Sequence, residues 1–231
     1  SNSGIIIKGK DGDHEVQLYH HYPLNDAKSS MHSTSLVKVG DKVKAGQVVA
    51  DTNYSKNGAL ALGTNLRVAY VPFKGYNFED GVVISEQAAK SLSSEHLHKH
   101  DIEKKEGMVF EPAKFRQQHL TAFVADQYKH IDENGVVKVG TKVSPGDPLI
   151  LATQPYQIKD RTGVAALRKS MVNQHTDKSV RWQSDFDGEV VGVHKTGDKI
   201  SVHVRTVEPM QVGDKIAGRY GNKGIVTKIL P

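Results

Sequence analysis

Apolar residues in this chain come in short runs, broken again and again by Gly-Asp or Asn-Gly pairs. Such runs of Val and Ile between tight-turn residues predict many short strands and a mainly β protein. The pattern predicts strands over Gly4 to Lys8, Glu15 to Tyr19, Gln47 to Asp51, Leu66 to Pro72 and Val82 to Ser85. It continues with Gly135 to Val139, Leu149 to Thr153, Glu189 to His194, Lys199 to Val204 and Gly224 to Ile229. Lys195-Thr196-Gly197-Asp198 predicts a hairpin turn, because glycine accepts the positive φ that such turns require. Helical spacing is scarce. Glu86 to Ser93 follows Ser85, a residue type that caps helix amides. Val164 to Met171 and Arg116 to Lys129 carry amphipathic spacing.

A repeated phrase runs through this pattern. Val37-Lys-Val-Gly-Asp-Lys-Val-Lys-Ala-Gly-Gln47 is echoed by Val137-Lys-Val-Gly-Thr-Lys-Val-Ser-Pro-Gly-Asp147, and more briefly by Met210-Gln-Val-Gly-Asp-Lys-Ile216. Each copy reads as a tight turn opening into a strand. Turns of this kind recur in unrelated β-barrels, so the repeat speaks to architecture.

Composition narrows the classes. The 231 residues suffice for one large or two small domains with real cores, and no apolar run reaches the ~20 residues that span a bilayer. We therefore expect no membrane partner. With no cysteine, a disulfide scaffold and thiolate metal sites are excluded. A net charge of +5 favours an anionic partner such as nucleic acid, although no block of consecutive basic residues concentrates it.

Chemistry gathers in two segments. The first is Gly213-Asp-Lys215-Ile-Ala-Gly218-Arg219-Tyr-Gly221-Asn222-Lys223-Gly224, whose glycines let backbone run close to a bulky anion. Lys215, Arg219 and Lys223 recur every fourth residue, so the segment offers two compact point charges and one guanidinium fork to phosphate oxygens. The second runs from Leu60 through Arg67 to Gly75-Tyr-Asn-Phe-Glu79-Asp80 and on to Glu86. Adjacent carboxylates on a strand face opposite ways, so Glu79 and Asp80 share a water or metal more easily at a turn.

Together these segments resemble the signatures of the second-largest (beta) subunit of multisubunit DNA-directed RNA polymerases. Tyr220 stands where the bacterial pattern usually has histidine, and Phe73 where it has tryptophan. The resemblance implies that Lys215 and Lys223 reach the RNA 3′ end and the phosphates of the incoming nucleotide. Arg219, Glu79, Asp80, Arg67 and Asn222 would line the nucleotide and RNA path. It implies Mg2+ as cofactor, held mainly by the largest (beta-prime-like) subunit, with Asp80 touching a second Mg2+ indirectly. It further implies other beta fragments, DNA template and RNA transcript as partners, a bacterial or phage-infected cytoplasm as setting, and inactivity of the chain alone.

The implied fold is a double-psi β-barrel from residues 36–95 plus 206–231, preceded by N-terminal strands in 1–35. A small sandwich- or barrel-like flap domain, 96–205, would be inserted. A region similar to the start of the family's flap lies at Ile131 to Ile150. Only Lys195 to Lys199 joins the flap hairpin, so docking of initiation factors there is not expected. So short a hairpin, with the lysine motif close to the last residue, resembles the split subunits of giant-phage polymerases.

Two clusters read as decoys. Asp185-Phe-Asp187-Gly-Glu189 approaches the aspartate triad of the family's largest subunit, yet a plain acidic turn opening a strand explains it. His96-Leu-His98-Lys-His100 has metal-ligand alternation but a setting like a solvated linker. Trp182 reads as core. Two rival functions remain: a non-catalytic β-barrel nucleic-acid-binding module, and a biotinyl- or lipoyl-type carrier. The carrier would need an exposed hairpin-tip lysine, and Glu208-Pro-Met210-Gln211 has none.

Overall fold

Strands with glycine-centred turns dominate the computed structural model, which describes residues 3–25, 28–155 and 175–231. Its principal elements in chain order are β1 (Ser3–Gly9), β2 (Gly12–Leu18), β3 (Gly81–Ser85), α1 (Glu86–Ser91), β4 (Ser94–Glu103), α2 (Pro112–Gln118), β5 (Gly188–Thr196), β6 (Lys199–Glu208), β7 (Lys215–Ala217) and β8 (Lys223–Leu230). Short two- and three-residue strands fill the remainder, and the fold is mainly β. The chain divides into two units, one of Ser1–His96 with Val207–Pro231 and one of Leu97–Thr206.

In the first unit β7, β8 and β3 form a three-stranded sheet, with β8 antiparallel to β7 and parallel to β3. Val226 on β8 is fully buried and packs with Ile84 and Ala89, flanked by Val82, Met210 and Ile229. Ser85 caps α1 by accepting a hydrogen bond from the Ala88 amide at 3.1 Å, with Glu86 in the first turn facing the positive helix end. β1 and β2 form a two-stranded ribbon in continuous register from Ser3↔Leu18 to Gly9↔Gly12.

The second unit holds a four-stranded sheet in the order β4, β6, β5 and the short strand Lys142–Val143. Alternation along β6 buries Val202, Val204 and Thr206 on one face. The two valines join Phe115, Val136, Leu149, Ile150, Trp182 and Val190 in the core. Gly188 is required there, since a Cβ would lie 2.4 Å from Val204 Cγ1 and 3.2 Å from Trp182 Cζ2. Arg116 lies over the Tyr128 ring and Arg181 over the Phe123 ring, each 4.3 Å from the centroid. Gly197, at φ 57°, turns the β5–β6 hairpin as the sequence predicts.

The repeated phrase folds the same way each time. Gly40, Gly140 and Gly213 all take positive φ, at 94°, 84° and 97°. In the first and third copies the aspartate after this glycine caps the amide three positions back, Asp41 accepting from Lys38 N at 2.8 Å and Asp214 from Gln211 N at 2.7 Å; in the second copy Asp147, after the later Gly146, accepts from Ser144 N at 2.8 Å. In the third copy this turn delivers Lys215 directly into β7.

Several expectations need correction. Leu66 to Pro72 forms no strand; residues 56–72 are all exposed and no neighbour offers these seven a ladder. Gly135 to Val139 contributes only isolated bridges from Val136 and Val137. Arg116 to Lys129 is two pieces, α2 and the 3-10 turn Ala125–His130, parted by coil. The helix expected over Val164 to Met171 lies outside the described residues. His96 to His100 lies in β4, and His98 and His100 meet Trp182 edge-on, with centroids at 5.0 and 5.4 Å. That packing replaces the solvated linker expected from its charged flanks.

Candidate functional site

The third repeat turn fixes where Lys215 begins its strand. Gly213 N donates to Val226 O at 2.7 Å and Val226 N donates to Asp214 O at 2.9 Å, so the turn is bound to β8 on both sides. The β7–β8 register pairs Lys215 with Ile225 and Ala217 with Lys223. Residues opposite each other, and residues two apart on one strand, share a face. Lys215 and Lys223 therefore project from the same face as diagonal neighbours, with Cβ atoms roughly 7–8 Å apart. Both are exposed, and neither has a carboxylate partner among the described residues.

The loop between the two strands is shaped from within. Gly218 N donates to Asn222 O at 2.8 Å, and a Cβ on Gly218 would lie 2.3 Å from Asn222 Oδ1. Asn222 thus packs beneath its own turn. Gly221 takes φ 85° in open space. Tyr220 at the tip is 93% exposed. Arg219 reaches out and donates from Nη2 to Asn65 Oδ1 at 2.8 Å.

That contact joins the two sequence segments, and three more join them along β8. Ile225 N donates to Asp80 O at 2.9 Å, Thr227 Oγ1 donates to Tyr76 O, and Lys228 Nζ lies 4.0 Å from the centre of the Tyr76 ring. Close approach is possible because glycines stand at both crossings. A Cβ on Gly224 would fall 2.5 Å from Asp80 O, and one on Gly81 would fall 2.7 Å from Tyr76 O.

The acidic segment itself is a string of turns. Asn77 staples it, accepting from Phe73 N at 2.8 Å and donating to Val71 O at 2.6 Å. Lys74, Gly75 and Glu79 all have positive φ. The Glu79 and Asp80 side chains are exposed, with no hydrogen bond or ion pair among the described residues. They belong to no group of three converging metal ligands among those residues. Arg67 stands in the exposed coil with no hydrogen bond or ion pair among the described residues, so Lys215, Lys223, Arg219, Asn222, Glu79 and Asp80 are drawn together and Arg67 is not.

Sequence reasoning missed Asn65, Thr227 and Lys228, the residues that clamp one segment to the other. Asn65 lies inside the acidic segment with no geometric role evident from sequence, and Thr227 and Lys228 lie just past the glycine-rich lysine segment. In the other unit the acidic decoy is plain structure. Glu189 pairs with Arg205 at 2.8 Å, and Phe186 O accepts the Trp182 indole N–H at 2.8 Å. A shallow groove of about 430 Å³ beside the hairpin mixes Lys104 and Lys195 with Glu111, Glu133 and Asp198. Three carboxylates against two ammonium groups give phosphate no preference there.

Comparisons with known proteins agree on one family. Residues 3–231 match the family described as RNA polymerase Rpb2, domain 6. The DNA-directed RNA polymerase subunit beta of Synechococcus sp. (strain JA-2-3B'a(2-13)) is 34% identical over 98% of this chain and 21% of its own length. That of Heterosigma akashiwo is 34% identical over 100% of this chain and 22% of its own, and that of Thermosynechococcus vestitus 32% identical over 98% and 22%. The chain thus spans about a fifth of the length of these relatives. Among the described residues no helix is long and apolar enough to cross a membrane. By the match over nearly all of its residues, the chain belongs to the RNA polymerase Rpb2 domain 6 family and corresponds to one region of a beta subunit.

Proposed function

We propose that this chain forms one wall of the active centre of a DNA-directed RNA polymerase, a nucleotidyltransferase that extends an RNA transcript on a DNA template. The observation that carries this reading is the shared face of Lys215 and Lys223, beside an acidic segment clamped to the same strand. Two unpaired ammonium groups carried side by side on a hydrogen-bonded ribbon suit a polyanion. The ribbon fixes the strand positions from which both charges reach a phosphate.

In this reading the 3′-hydroxyl oxygen of the RNA attacks the α-phosphate of the nucleotide and pyrophosphate leaves. Lys215 and Lys223 neutralise charge on the phosphates and the transcript end. Arg219, oriented by Asn65, holds a fork toward the same path. Asn222 and the glycines shape the loop, and Arg67 reaches the path from the exposed coil. Glu79 and Asp80 offer at most two adjacent carboxylates, too few for a complete octahedral shell. They fit a single or water-mediated contact to Mg2+, with Asp80 the better placed beside β8. Bound there, the ion would offset triphosphate charge.

Residues 36–95 and 206–231 then serve as the hybrid-binding double-psi β-barrel, preceded by the N-terminal strands, and 96–205 as a flap-like domain. The largest (beta-prime-like) subunit and other beta fragments would complete the centre, in a bacterial or phage-infected cytoplasm. The exposed stretch 56–72, with Leu60, Leu62, Val68 and Tyr70, supports such neighbours, since apolar runs of this kind are normally covered.

The test is extension of a primed RNA–DNA scaffold by the reconstituted polymerase. Lys215→Ala and Lys223→Ala should each slow extension by roughly 10²–10³-fold, the loss typical of one preorganised donor. Extension at the wild-type rate by both variants would refute the assignment.

A further inference from the structure

Two histidines in the second unit serve neither the proposed active centre nor the core. His194 lies on β5 and His203 on β6. The register sets Gly192 opposite His203 and His194 opposite Ser201, so the two histidines are diagonal neighbours on one face of the sheet. Their ring centroids lie 5.0 Å apart with planes inclined at 56°, which is not a stacking geometry.

The position between them is glycine. A Cβ on Gly192 would lie 3.2 Å from His194 Nε2 and 3.6 Å from His203 Nδ1. One nitrogen of each ring therefore borders the same small space, left open because residue 192 has no side chain. Neither ring has a hydrogen-bond partner among the described residues. The ladder that carries them starts just past a bulge between Val190 and Gly192 and runs in register from Gly192↔His203 to Thr196↔Lys199.

We propose that His194 and His203 chelate one divalent transition-metal ion of the zinc class across β5 and β6, over Gly192. Imidazole nitrogens bind such ions at about 2.0–2.1 Å, so a tetrahedral ion holds two of them roughly 3.3 Å apart. Two nitrogens that flank one point are placed to share a single ion. Two coordination positions stay open for water or an external donor.

The surroundings favour the ligand form. The competing cation Lys99 is drawn to Asp101, 3.4 Å away, and the same carboxylate holds Lys199 at 2.8 Å. The inference is independent of any role for Lys215 and Lys223.

Calorimetric titration of the purified 231-residue chain with ZnCl2 tests it. Zn2+ should bind, and His194→Ala and His203→Ala should each weaken binding at this site by at least about tenfold, because chelation through two ligands is lost. Gly192→Val should weaken it too while keeping both imidazoles, since its side chain fills the space between them. His130→Ala, an exposed histidine elsewhere, should titrate like the wild type. His194 is exposed, so its replacement leaves the sheet intact and the result stays readable even if another variant unfolds. Absence of Zn2+ uptake by the wild type, or wild-type affinity in His194→Ala, would overturn the proposal.

Discussion

Gly224 is where the two halves of the candidate site touch, and replacing it by alanine probes that contact directly. The backbone there has ordinary negative φ, so alanine adds a methyl group and no conformational strain. That methyl would lie 2.5 Å from Asp80 O and 2.8 Å from Val82 Cγ2. Restoring an ordinary contact near 3.4 Å moves the Asp80 carbonyl by about 0.9 Å. The hydrogen bond from Ile225 N, now 2.9 Å, would then stretch past any useful length. Overpacking costs about 1–3 kcal/mol and the broken bond about 1 kcal/mol, so the β3–β8 pairing should weaken by about 2–4 kcal/mol. At about 1.4 kcal/mol per tenfold, opening becomes roughly 30- to 1,000-fold more frequent. Trp182 lies in the other unit, so its fluorescence does not report this event. Hydrogen exchange at the Ile225 amide does. Gly221→Ala is the control: its φ of 85° is strained but its surroundings are open, so about 1 kcal/mol is expected and confined to the loop. Wild-type protection of Ile225 in Gly224→Ala would refute the reasoning.

Two further outcomes test the second unit. Burial raises the Asp101 carboxyl pKa, but hydrogen bonds from Lys199, Ser201 and Lys99 outweigh it and bring the pKa to about 2. Because that lies below the unfolded value of 3.8, the stabilisation is complete above pH 4 and fades as pH falls toward 2. Asp101→Asn should therefore cost about 1 kcal/mol at neutral pH, allowing for solvent screening, and nothing near pH 2 in urea titrations. A constant difference across that range would contradict the assignment. Trp182→Phe removes a buried indole whose N–H donates to Phe186 O at 2.8 Å. Thermal unfolding followed by circular dichroism should show a loss of about 2–3 kcal/mol, from the hydrogen bond and the cavity together.

The sequence by itself determined the class of fold, the turns and the identity of the reactive groups. Glycine at 40, 140, 197 and 213 forecast positive-φ turns because that preference is local, belonging to the residue and its neighbours. Ser85 forecast the cap of α1 for the same reason. Only the tertiary structure decided which strands exist and which groups meet. Leu66 to Pro72 has strand-like residues but no partner edge, and a ladder needs two strands. The histidines of β4 looked solvated because a sequence window cannot show Trp182 packing beneath them. Likewise the pairing of Ala217 with Lys223, which puts both lysines on one face, follows from register. Register is set by the loop's internal packing and by the clamps from Asn65, Tyr76 and Asp80, contacts between residues far apart in the chain. Local preference is written residue by residue, whereas the meeting of distant groups depends on how the whole unit fills space.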